Sequence, residues 1–370
     1  MEPWKPTSHA RTQSWAPLSA CVWRAPYAGL LSISLALAAT HCEPKSRDER
    51  SAPADTKTLP LRAAEATLPS WRESPAKRAL VDFVARVTAQ GGPDFVPPAE
   101  RIAVFDNDGT LWSEKPLYVQ LAFAIDRVKE LALQHPEWRS RQPFEGLLEG
   151  DLEAAAAAGK AGITKLIAET HLGNTTDEFE ALVAHWITSA RHPRFDRPYT
   201  ELVYRPMLEV IELLRENQFE VFIVSGGGVE FMRPWVEQTY GIPRSNVVGS
   251  RARMRYEVRD GAPVLARLSE VDLVDDGAGK PVGIQQLIGR RPLAAFGNSD
   301  GDFEMLEWTT SGPGARLGVL VHHTDPEREW AYDRESHVGR LARALDEAPR
   351  RGWAVVDMKS DWARIYPFDD

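Results

Sequence analysis

Two aspartates separated by a single residue, Asp106 and Asp108, directly follow the apolar run Ile102–Phe105. A short apolar run predicts a buried parallel strand, and side chains two positions apart on an extended chain point the same way. Both carboxylates are therefore expected to face one crevice at the carboxyl end of the strand, where parallel α/β sheets bind their ligands. Carboxylates this close repel each other, which favours a shared proton or a bound divalent cation and indicates chemistry rather than packing.

The residues that follow these aspartates are suited to binding a polar ligand. Gly109 permits a turn that a Cβ atom would hinder, and Thr110 offers a hydroxyl to the same space. We predict that both residues bind the substrate. The structural alternative is a turn that the aspartates merely cap, since aspartate is common in turns.

Three further segments have the composition of a phosphate and metal site. Ser225 and Gly226, followed by two more glycines, give a hydroxyl and backbone N–H groups at the start of a predicted helix, a combination suited to phosphate. Lys280 begins another predicted helix, and its mobile charge suits a phosphoryl oxygen. The loop after a third predicted strand offers the hard oxygen ligands that magnesium prefers, namely Asn298, Asp300 and Asp302. Each segment alone is a weak signal, whereas the four in this order are a strong one.

The elements that must position these residues alternate between strand and helix after residue 200, which predicts a doubly wound parallel sheet of the α/β class. Short apolar runs predict the strands, and apolar residues at helical spacing predict the helices between them. The predicted strands are 102–105, 219–224, 293–296, 317–321 and 353–358, with a hairpin over 246–269. The predicted helices are 75–90, 206–217, 229–239 and 281–289.

Between residues 114 and 197 the pattern changes to nearly continuous helix. Apolar residues recur there at helical spacing, without the alternation typical of a half-buried strand. Because this block starts directly after the aspartate loop, we predict that it covers the loop as a helical cap. The α/β core would then comprise residues 75–113 and 198–370.

The N-terminal region has the pattern of an export signal followed by a tether. The apolar run 28–40 follows a stretch with basic residues and is too short to span a bilayer, so we predict no transmembrane span. We predict that residues 1–42 are a signal peptide for export from a bacterial cell, with a cytoplasmic protein as the alternative. Residues 43–74 are polar and rich in proline, and are predicted to be a flexible linker.

The chain has only two cysteines, Cys21 and Cys42, and both precede the patterned region. The folded part therefore has neither a disulfide framework nor a thiolate metal site. Cys42 lies where a bacterial lipid anchor would be attached, although Thr40 and His41 before it suit that signal poorly. Export to the periplasm and anchoring through Cys42 both stay open.

The composition is that of a globular protein, with 43% hydrophobic and 26% charged residues among 370. The net charge of −9 and the pI near 5.6 argue against a nucleic-acid partner, for which a basic face is expected.

The four polar segments, in this order, resemble the motifs of the haloacid dehalogenase superfamily and in particular of its phosphoserine-phosphatase-like branch. Residues 106–110 (Asp-Asn-Asp-Gly-Thr) look like the first motif, and residues 224–226 (Val-Ser-Gly) look like the second. Lys280 with the proline after it is similar to the third motif, and residues 297–302 are similar to the fourth. The helical block lies where this branch carries its cap, so the resemblance implies a Rossmann-like core with an inserted helical cap domain.

The resemblance also implies roles for individual residues. Asp106 would be the nucleophile and Asp108 the general acid and base, while Ser225 and Lys280 would stabilise the phosphoryl group. The implied cofactor is Mg²⁺, held by Asp106, the backbone carbonyl of Asp108 and residues of the fourth motif.

The fourth motif departs from the family pattern at one position. Family members usually have aspartate after its glycine, and this chain has Asn298. An amide oxygen can ligate Mg²⁺, but without a charge it binds the ion more weakly. We therefore expect Asn298 and Asp302 as metal ligands, with the negative charge on Asp302 and, as the weaker candidate, Asp300.

Glu114 lies just after the first motif, where related phosphoserine phosphatases carry a cap-hinge glutamate that faces the substrate amine. The resemblance implies that Glu114 contacts a cationic substrate group, and Trp112 could add a cation–π contact. A hinge residue that forms a surface salt bridge is the alternative.

These observations predict a Mg²⁺-dependent phosphomonoester hydrolase that acts on a small phosphorylated metabolite through an aspartyl-phosphate. A phosphotransferase that uses the same intermediate is one alternative. A catalytically weak protein that binds a phosphate ligand is another, and Asn298 is the residue that motivates it.

Overall fold

The computed structural model describes residues 68–150, 166, 169–170 and 173–369 of the chain. The predicted signal peptide and Cys42 lie outside these residues, so both stay predictions. Eight strands form one sheet in the order β4-β3-β2-β1-β5-β6-β7, with β8 paired to β6. The strands are β1 (Ile102–Phe105), β2 (Glu220–Gly228), β3 (Val247–Arg259), β4 (Ala262–Leu273), β5 (Ala294–Gly297), β6 (Leu317–Thr324), β7 (Ala331–Tyr332) and β8 (Ala354–Asp357).

The strands in the middle of the sheet are parallel, which confirms the predicted α/β class. Strand β1 pairs in parallel with β2 and β5, and the parallel pairing continues to β3 on one side and to β6 and β8 on the other. The two antiparallel pairs, β3 with β4 and β6 with β7, extend this core. The hairpin of β3 and β4 reverses at Asp260 and Gly261, both at positive φ, which is the backbone geometry of a tight hairpin turn.

The helices that connect the strands agree with the predicted positions, with one difference. The predicted helix 229–239 is broken into two short helices, Val229–Met232 and Val236–Tyr240, because Pro234 lacks the N–H that a continuous helix needs. In the described part of the chain, no helix has the length and apolar character needed to cross a bilayer. The helices are α1 (Pro75–Thr88), α2 (Val119–Leu131), α3 (Phe144–Glu149), α4 (Thr176–Ser189), α5 (Arg205–Glu216), α6 (Val229–Met232), α7 (Val236–Tyr240), α8 (Gly279–Leu287), α9 (Phe303–Thr310), α10 (Arg343–Arg351) and α11 (Met358–Asp361). Single 3₁₀ turns occur at Pro98–Glu100, Pro136–Ser140, Tyr199–Glu201, Arg244–Asn246 and Asp300–Asp302.

Both faces of the central strand β1 are buried. On strand β1, Ala103 and Phe105 belong to one apolar cluster, whereas Ile102 and Val104 belong to a second. Successive side chains of a strand point to opposite faces, so these four residues anchor β1 between two layers of helices. A strand that is buried on both sides must be apolar throughout, which is why the run is continuous.

The segment between β1 and α5 has a small apolar cluster of its own, in which Trp138 and Phe144 stack at a centroid distance of 4.4 Å. Helix α4 of this segment contacts the hairpin, where the guanidinium of Arg267 lies 3.8 Å from the centroid of the Phe179 ring. The described residues of 114–197 are thus mainly helical, as predicted. Their function as a cap stays a prediction.

The predicted linker 43–74 is wrong at its C-terminal end. Leu68 is fully buried in the core, and both the N–H and the hydroxyl of Ser70 donate to the buried carboxylate of Glu209, at 3.0 and 2.7 Å. Ser74 caps helix α1. These anchors outweigh the polar composition of the surrounding stretch, so the packed core begins at residue 68 at the latest.

Candidate active site

Asp106 follows strand β1 directly and is held at both its backbone and its side chain. Its N–H donates to the carbonyl of Phe296 on β5 at 2.9 Å, and its Oδ1 accepts from Nζ of Lys280 at 2.6 Å. Asp108 lines the same cavity as Asp106, and the side-chain oxygen of Asn107 between them accepts a hydrogen bond from the hydroxyl of Tyr240 at 3.0 Å. The structure therefore places the two aspartates in one crevice, as their spacing predicts.

Lys280, at the start of helix α8, links three elements of the site. Its Nζ donates to Oδ1 of Asp106 at 2.6 Å, to Oδ1 of Asp302 at 2.6 Å and to the carbonyl of Val224 at 2.9 Å. An ammonium group has three hydrogens, so each one has an acceptor. Lys280 is buried and held between the first and fourth motifs.

The fourth motif is folded around Asp302. One carboxylate oxygen, Oδ2, accepts from the backbone N–H groups of Asn298 and Ser299, both at 3.0 Å, while Oδ1 accepts from Lys280. Asp300 instead accepts from the backbone N–H groups of residues 342 and 344, at the start of helix α10. Of the two acidic candidates for a metal ligand, Asp302 therefore contacts Lys280 at the site. The carboxylate of Asp300 binds the start of helix α10 instead.

The glycine run after Ser225 differs from its predicted form. The run leads into a helix as predicted, since Gly228 is the N-cap of helix α6, but strand β2 continues through Gly228 and the helix has only four residues. The hydroxyl of Ser225 accepts from the N–H of Gly227 at 3.1 Å, and Gly226 lines the cavity. A Cβ atom on Gly227 would lie 3.3 Å from Oγ of Ser225 and 3.7 Å from Oδ2 of Asp108. The run thus lets the backbone approach the aspartates closely.

Two residues predicted to bind substrate, Gly109 and Thr110, do not line the cavity as far as it is described. Gly109 has a φ of +76°, and a Cβ atom there would lie 2.1 Å from Nδ2 of Asn298. Thr110 is fully buried, and its hydroxyl donates to Oδ1 of Asn298 at 3.1 Å. Both residues contact Asn298 and so link the first and fourth motifs, and their direct contact with a substrate stays a prediction.

Glu114 lines the cavity, but Trp112 does not. The Trp112 ring is buried and stacks on Trp235 at a centroid distance of 4.3 Å, and its indole N–H donates to Oδ1 of Asp108 at 2.9 Å. The expected cation–π contact of Trp112 with a substrate is therefore wrong. Trp112 instead holds Asp108 through this hydrogen bond. The spacing of four residues between Asp108 and Trp112 did not by itself predict the contact.

Charge at the site is strongly unbalanced. Burial and the neighbouring Asp302 raise the pKa of Asp106 well above its usual range, although Lys280 acts in the opposite direction. Burial also raises the pKa of Asp108. Burial alone would lower the pKa of Lys280, but Asp106 and Asp302 outweigh it and raise that pKa, so the ammonium stays charged.

The donor set fits a single divalent cation only if neutral oxygens take part. In the described ranges, no three His, Cys, Asp or Glu side chains converge as a metal-binding group. Asp106 and Asp302 provide two carboxylates, and the amide oxygen of Asn298 and the backbone carbonyl of Asp108 are hard oxygen donors of the type that Mg²⁺ binds. Because buried carboxylates outnumber the one lysine, the residues present fit such an ion.

One side of a cavity of about 500 Å³ is formed by Asp106, Asp108, Ser225 and Lys280. We call these four residues the floor of the cavity. Residues 250–252 and 267–271 of the β3–β4 hairpin form another side, which we call the hairpin wall. The hairpin follows from the sequence pattern, but its position at the site does not. A signal was available, since the hairpin is inserted between Ser225 and Lys280 and so must leave and rejoin the floor.

Comparison with known proteins places this geometry in a family. The family described as haloacid dehalogenase-like hydrolase matches residues 103–307, which include all four motifs. No curated protein matches the sequence.

Three solved structures illustrate the similarity of the chain. A protein of unknown function from Bordetella pertussis Tohama I is 16% identical, with 70% of this chain and 99% of that chain covered and a TM-score of 0.45. A phosphoserine phosphohydrolase-like protein from Francisella tularensis subsp. tularensis SCHU S4 is 18% identical, with coverages of 68% and 98% and a TM-score of 0.33. A probable phosphoserine phosphatase from Vibrio cholerae is 16% identical, with coverages of 62% and 58% and a TM-score of 0.33. Because the family match covers more than half of the sequence and contains every motif, the chain belongs to the haloacid dehalogenase-like hydrolase family.

Proposed function

We propose that this protein is a Mg²⁺-dependent phosphomonoester hydrolase that acts on a small phosphorylated metabolite. The observation that carries the proposal is Lys280 on the floor of the cavity, whose Nζ lies 2.6 Å from Asp106 on the same floor and 2.6 Å from Asp302 of the fourth motif. A carboxylate fixed beside a buried cation, with a second carboxylate on the same floor, suits nucleophilic attack on phosphorus. The cavity volume of about 500 Å³ suits a small metabolite.

Asp106 is the nucleophile in this proposal. Lys280 holds Oδ1, while the contact that the described residues make with the other oxygen, Oδ2, is a long one of 3.4 Å from the hydroxyl of Thr110. Attack by this carboxylate forms an oxygen–phosphorus bond and breaks the bond between phosphorus and the leaving alkoxide. Water then attacks the phosphorus of the aspartyl-phosphate and releases inorganic phosphate, which regenerates the carboxylate.

Asp108 moves the proton in both steps. Because burial raises its pKa, Asp108 can carry the proton that the leaving alkoxide takes up, and it can later accept one from the attacking water. The indole N–H of Trp112 binds Oδ1 and leaves Oδ2, the oxygen nearer to Gly227, as the oxygen for proton transfer. General acid–base catalysis of this kind is typically worth about 10²–10⁴ in rate.

The transferred phosphoryl group carries its charge on its outer oxygens, so catalysis depends mainly on positioning and neutralisation. Lys280 and the hydroxyl of Ser225 are the groups of the floor that suit these oxygens. Asp106, Asp302, the amide oxygen of Asn298 and the backbone carbonyl of Asp108 would hold Mg²⁺, which when bound supplies further positive charge to the phosphoryl oxygens.

The test is release of phosphate from a generic aryl phosphate by the full-length chain, with and without Mg²⁺. We expect turnover that Mg²⁺ stimulates and that Asp106→Asn lowers by more than about 10³-fold, because an amide does not attack phosphorus. Thermal unfolding of the variant serves as the control for folding.

Two results would replace this proposal with another function. Tight binding of a phosphate ligand without any turnover would indicate a binding protein. A new phosphate ester formed when glycerol is added, at the expense of free phosphate, would indicate a phosphotransferase that uses the same intermediate.

A further inference from the structure

Asn298 occupies the position where an aspartate is usual, and the structure pairs it with a buried carboxylate far away in the sequence. Nδ2 of Asn298 donates to Oε1 of Glu114 at 2.8 Å, across 184 positions of the chain. Both side chains are 1% exposed. A buried carboxyl group therefore lies one contact behind the Asn298 amide.

This hydrogen bond determines which way the amide faces. A carboxylate only accepts hydrogen bonds, so the group that faces Glu114 must be the NH₂ of the amide. The amide oxygen then points the other way, where it accepts from the hydroxyl of Thr110 at 3.1 Å. Thr110 in turn lies 3.4 Å from Oδ2 of Asp106, so the oxygen of Asn298 is directed to the side of the nucleophile.

Glu114 itself is held in a narrow socket. Its Oε1 also accepts from the hydroxyl of Tyr332 at 2.8 Å. A Cβ atom on Gly109 would lie 2.4 Å from this oxygen, and one on Gly339 would lie 1.8 Å from it. Both glycines also have positive φ, which side chains disfavour. A side chain at either position would therefore be excluded both by its backbone conformation and by the closeness of Glu114.

We propose that Glu114 is a positioning residue, which holds the amide of Asn298 with its oxygen toward the Mg²⁺ site. The inference rests on the proposed function, because it assigns the neutral ligand of that site. The usual carboxylate ligand is replaced by two groups, a neutral oxygen donor at the site and a buried carboxyl group that holds its amide from behind. Partners behind a ligand orient it, and their loss typically weakens metal binding by about 10–100-fold.

The test is the Mg²⁺ dissociation constant of the full-length chain, measured by titration calorimetry without substrate. Glu114→Gln can turn an NH₂ group toward Asn298 and so removes the acceptor that fixes the amide, and we therefore expect Mg²⁺ to bind about 10–100-fold more weakly. The double variant Glu114→Gln/Asn298→Asp moves the carboxylate to the ligand position and restores a donor behind it. We expect its affinity to return to within about threefold of the wild type or to exceed it.

Two matched controls separate orientation from general electrostatics. Glu230→Gln removes another buried carboxylate that lines the cavity, without a described contact to Asn298, and should leave Mg²⁺ affinity unchanged. Tyr332→Phe removes the second donor to Glu114 but keeps the one from Asn298, so its effect should be smaller than that of Glu114→Gln.

An unchanged affinity in Glu114→Gln would overturn the inference, and so would a double variant as weak as Glu114→Gln. An equal loss in Glu230→Gln would also overturn it, because charge alone would then explain the result. If Asp106→Asn still abolishes Mg²⁺-stimulated phosphate release, these outcomes leave the proposed function intact. A wild-type chain that binds no Mg²⁺ and releases no phosphate would overturn both.

Discussion

The floor of the cavity and its hairpin wall are built in opposite ways. On the floor, Lys280 donates to three acceptors at 2.6–2.9 Å, two of them on Asp106 and Asp302. On the hairpin wall, Nε of Arg267 is buried without a hydrogen-bond partner among the described residues, and so is Oε1 of the neighbouring Glu230. These two side chains approach only to 3.9 Å.

The difference indicates a division of labour. A floor whose charged groups are already oriented suits the part of a substrate that never varies, which is the phosphoryl group. Buried polar atoms without a hydrogen-bond partner are rare in folded proteins and call for an explanation, even where, as here, the Arg267 guanidinium also lies over the Phe179 ring. We interpret Arg267 and Glu230 as residues that can form hydrogen bonds with the variable part of the substrate, which is its leaving group. The predictions below test this comparison, beginning with the largest expected effect.

Lys280→Met should break the floor. The substitution keeps the length of the side chain but leaves Asp106 and Asp302 buried without a cation. Removal of one partner from a buried ion pair typically lowers the free energy of unfolding by about 3–5 kcal/mol. Denaturant titration without Mg²⁺ measures this loss.

The control for this variant is Lys129→Met on helix α2, where the lysine side chain is exposed and its ion pair measures 3.9 Å. We expect a change within about 0.5 kcal/mol there. If Lys280→Met is equally mild, the floor is not held by charge and the comparison is wrong.

Asp275→Asn tests a buried carboxyl group close to the floor. Neither carboxylate oxygen of Asp275 has a described hydrogen-bond partner. Burial raises the pKa of Asp275 to about 7, although Lys280 and Arg251 act to lower it. In the unfolded chain this pKa is about 4, so the folded state binds the extra proton between these values and loses stability as pH rises toward 7.

The Asp275→Asn variant avoids that loss. Its free energy of unfolding should match the wild type near pH 4 and exceed it by about 1–4 kcal/mol at pH 8. Chemical unfolding at several pH values measures the difference. Asp260→Asn, in the exposed hairpin turn, is the matched control and should show no growth of the difference with pH. A constant difference for Asp275→Asn would show that its carboxyl is ionised throughout.

Arg267→Met should produce the smallest effect and only on substrate binding. If the hairpin wall contacts the leaving group, KM across a panel of phosphate esters should change by about 3–10-fold, which corresponds to one modest contact. The kcat and the Mg²⁺ affinity should stay close to the wild type, because Arg267 does not touch the floor. Arg253→Met, on an exposed part of the same hairpin, is the control. A loss confined to kcat would show that Arg267 acts in the reaction step. The proposed difference between the hairpin wall and the floor would then be wrong.

The residues of the floor were predictable because each lies at a place that local chain geometry defines. Asp106 and Asp108 follow a continuous apolar run, and Lys280 begins a helix at a spacing that matches known motifs. The contacts of Gly109 and Thr110 with Asn298 were not predicted, for the opposite reason. Their partner is Asn298, a residue distant in the sequence, and local spacing cannot predict such a contact.

The sequence by itself therefore determined the α/β class, the strand that ends at Asp106 and the residue types available for phosphoryl chemistry. These follow from hydrophobic periodicity and from side chains close together in the chain. Only the tertiary structure decided that Glu114 meets Asn298, that Trp112 supports Asp108 and that the hairpin forms a wall of the cavity. Contacts between distant segments depend on how the sheet is ordered and how its helices pack, and no local pattern encodes that order.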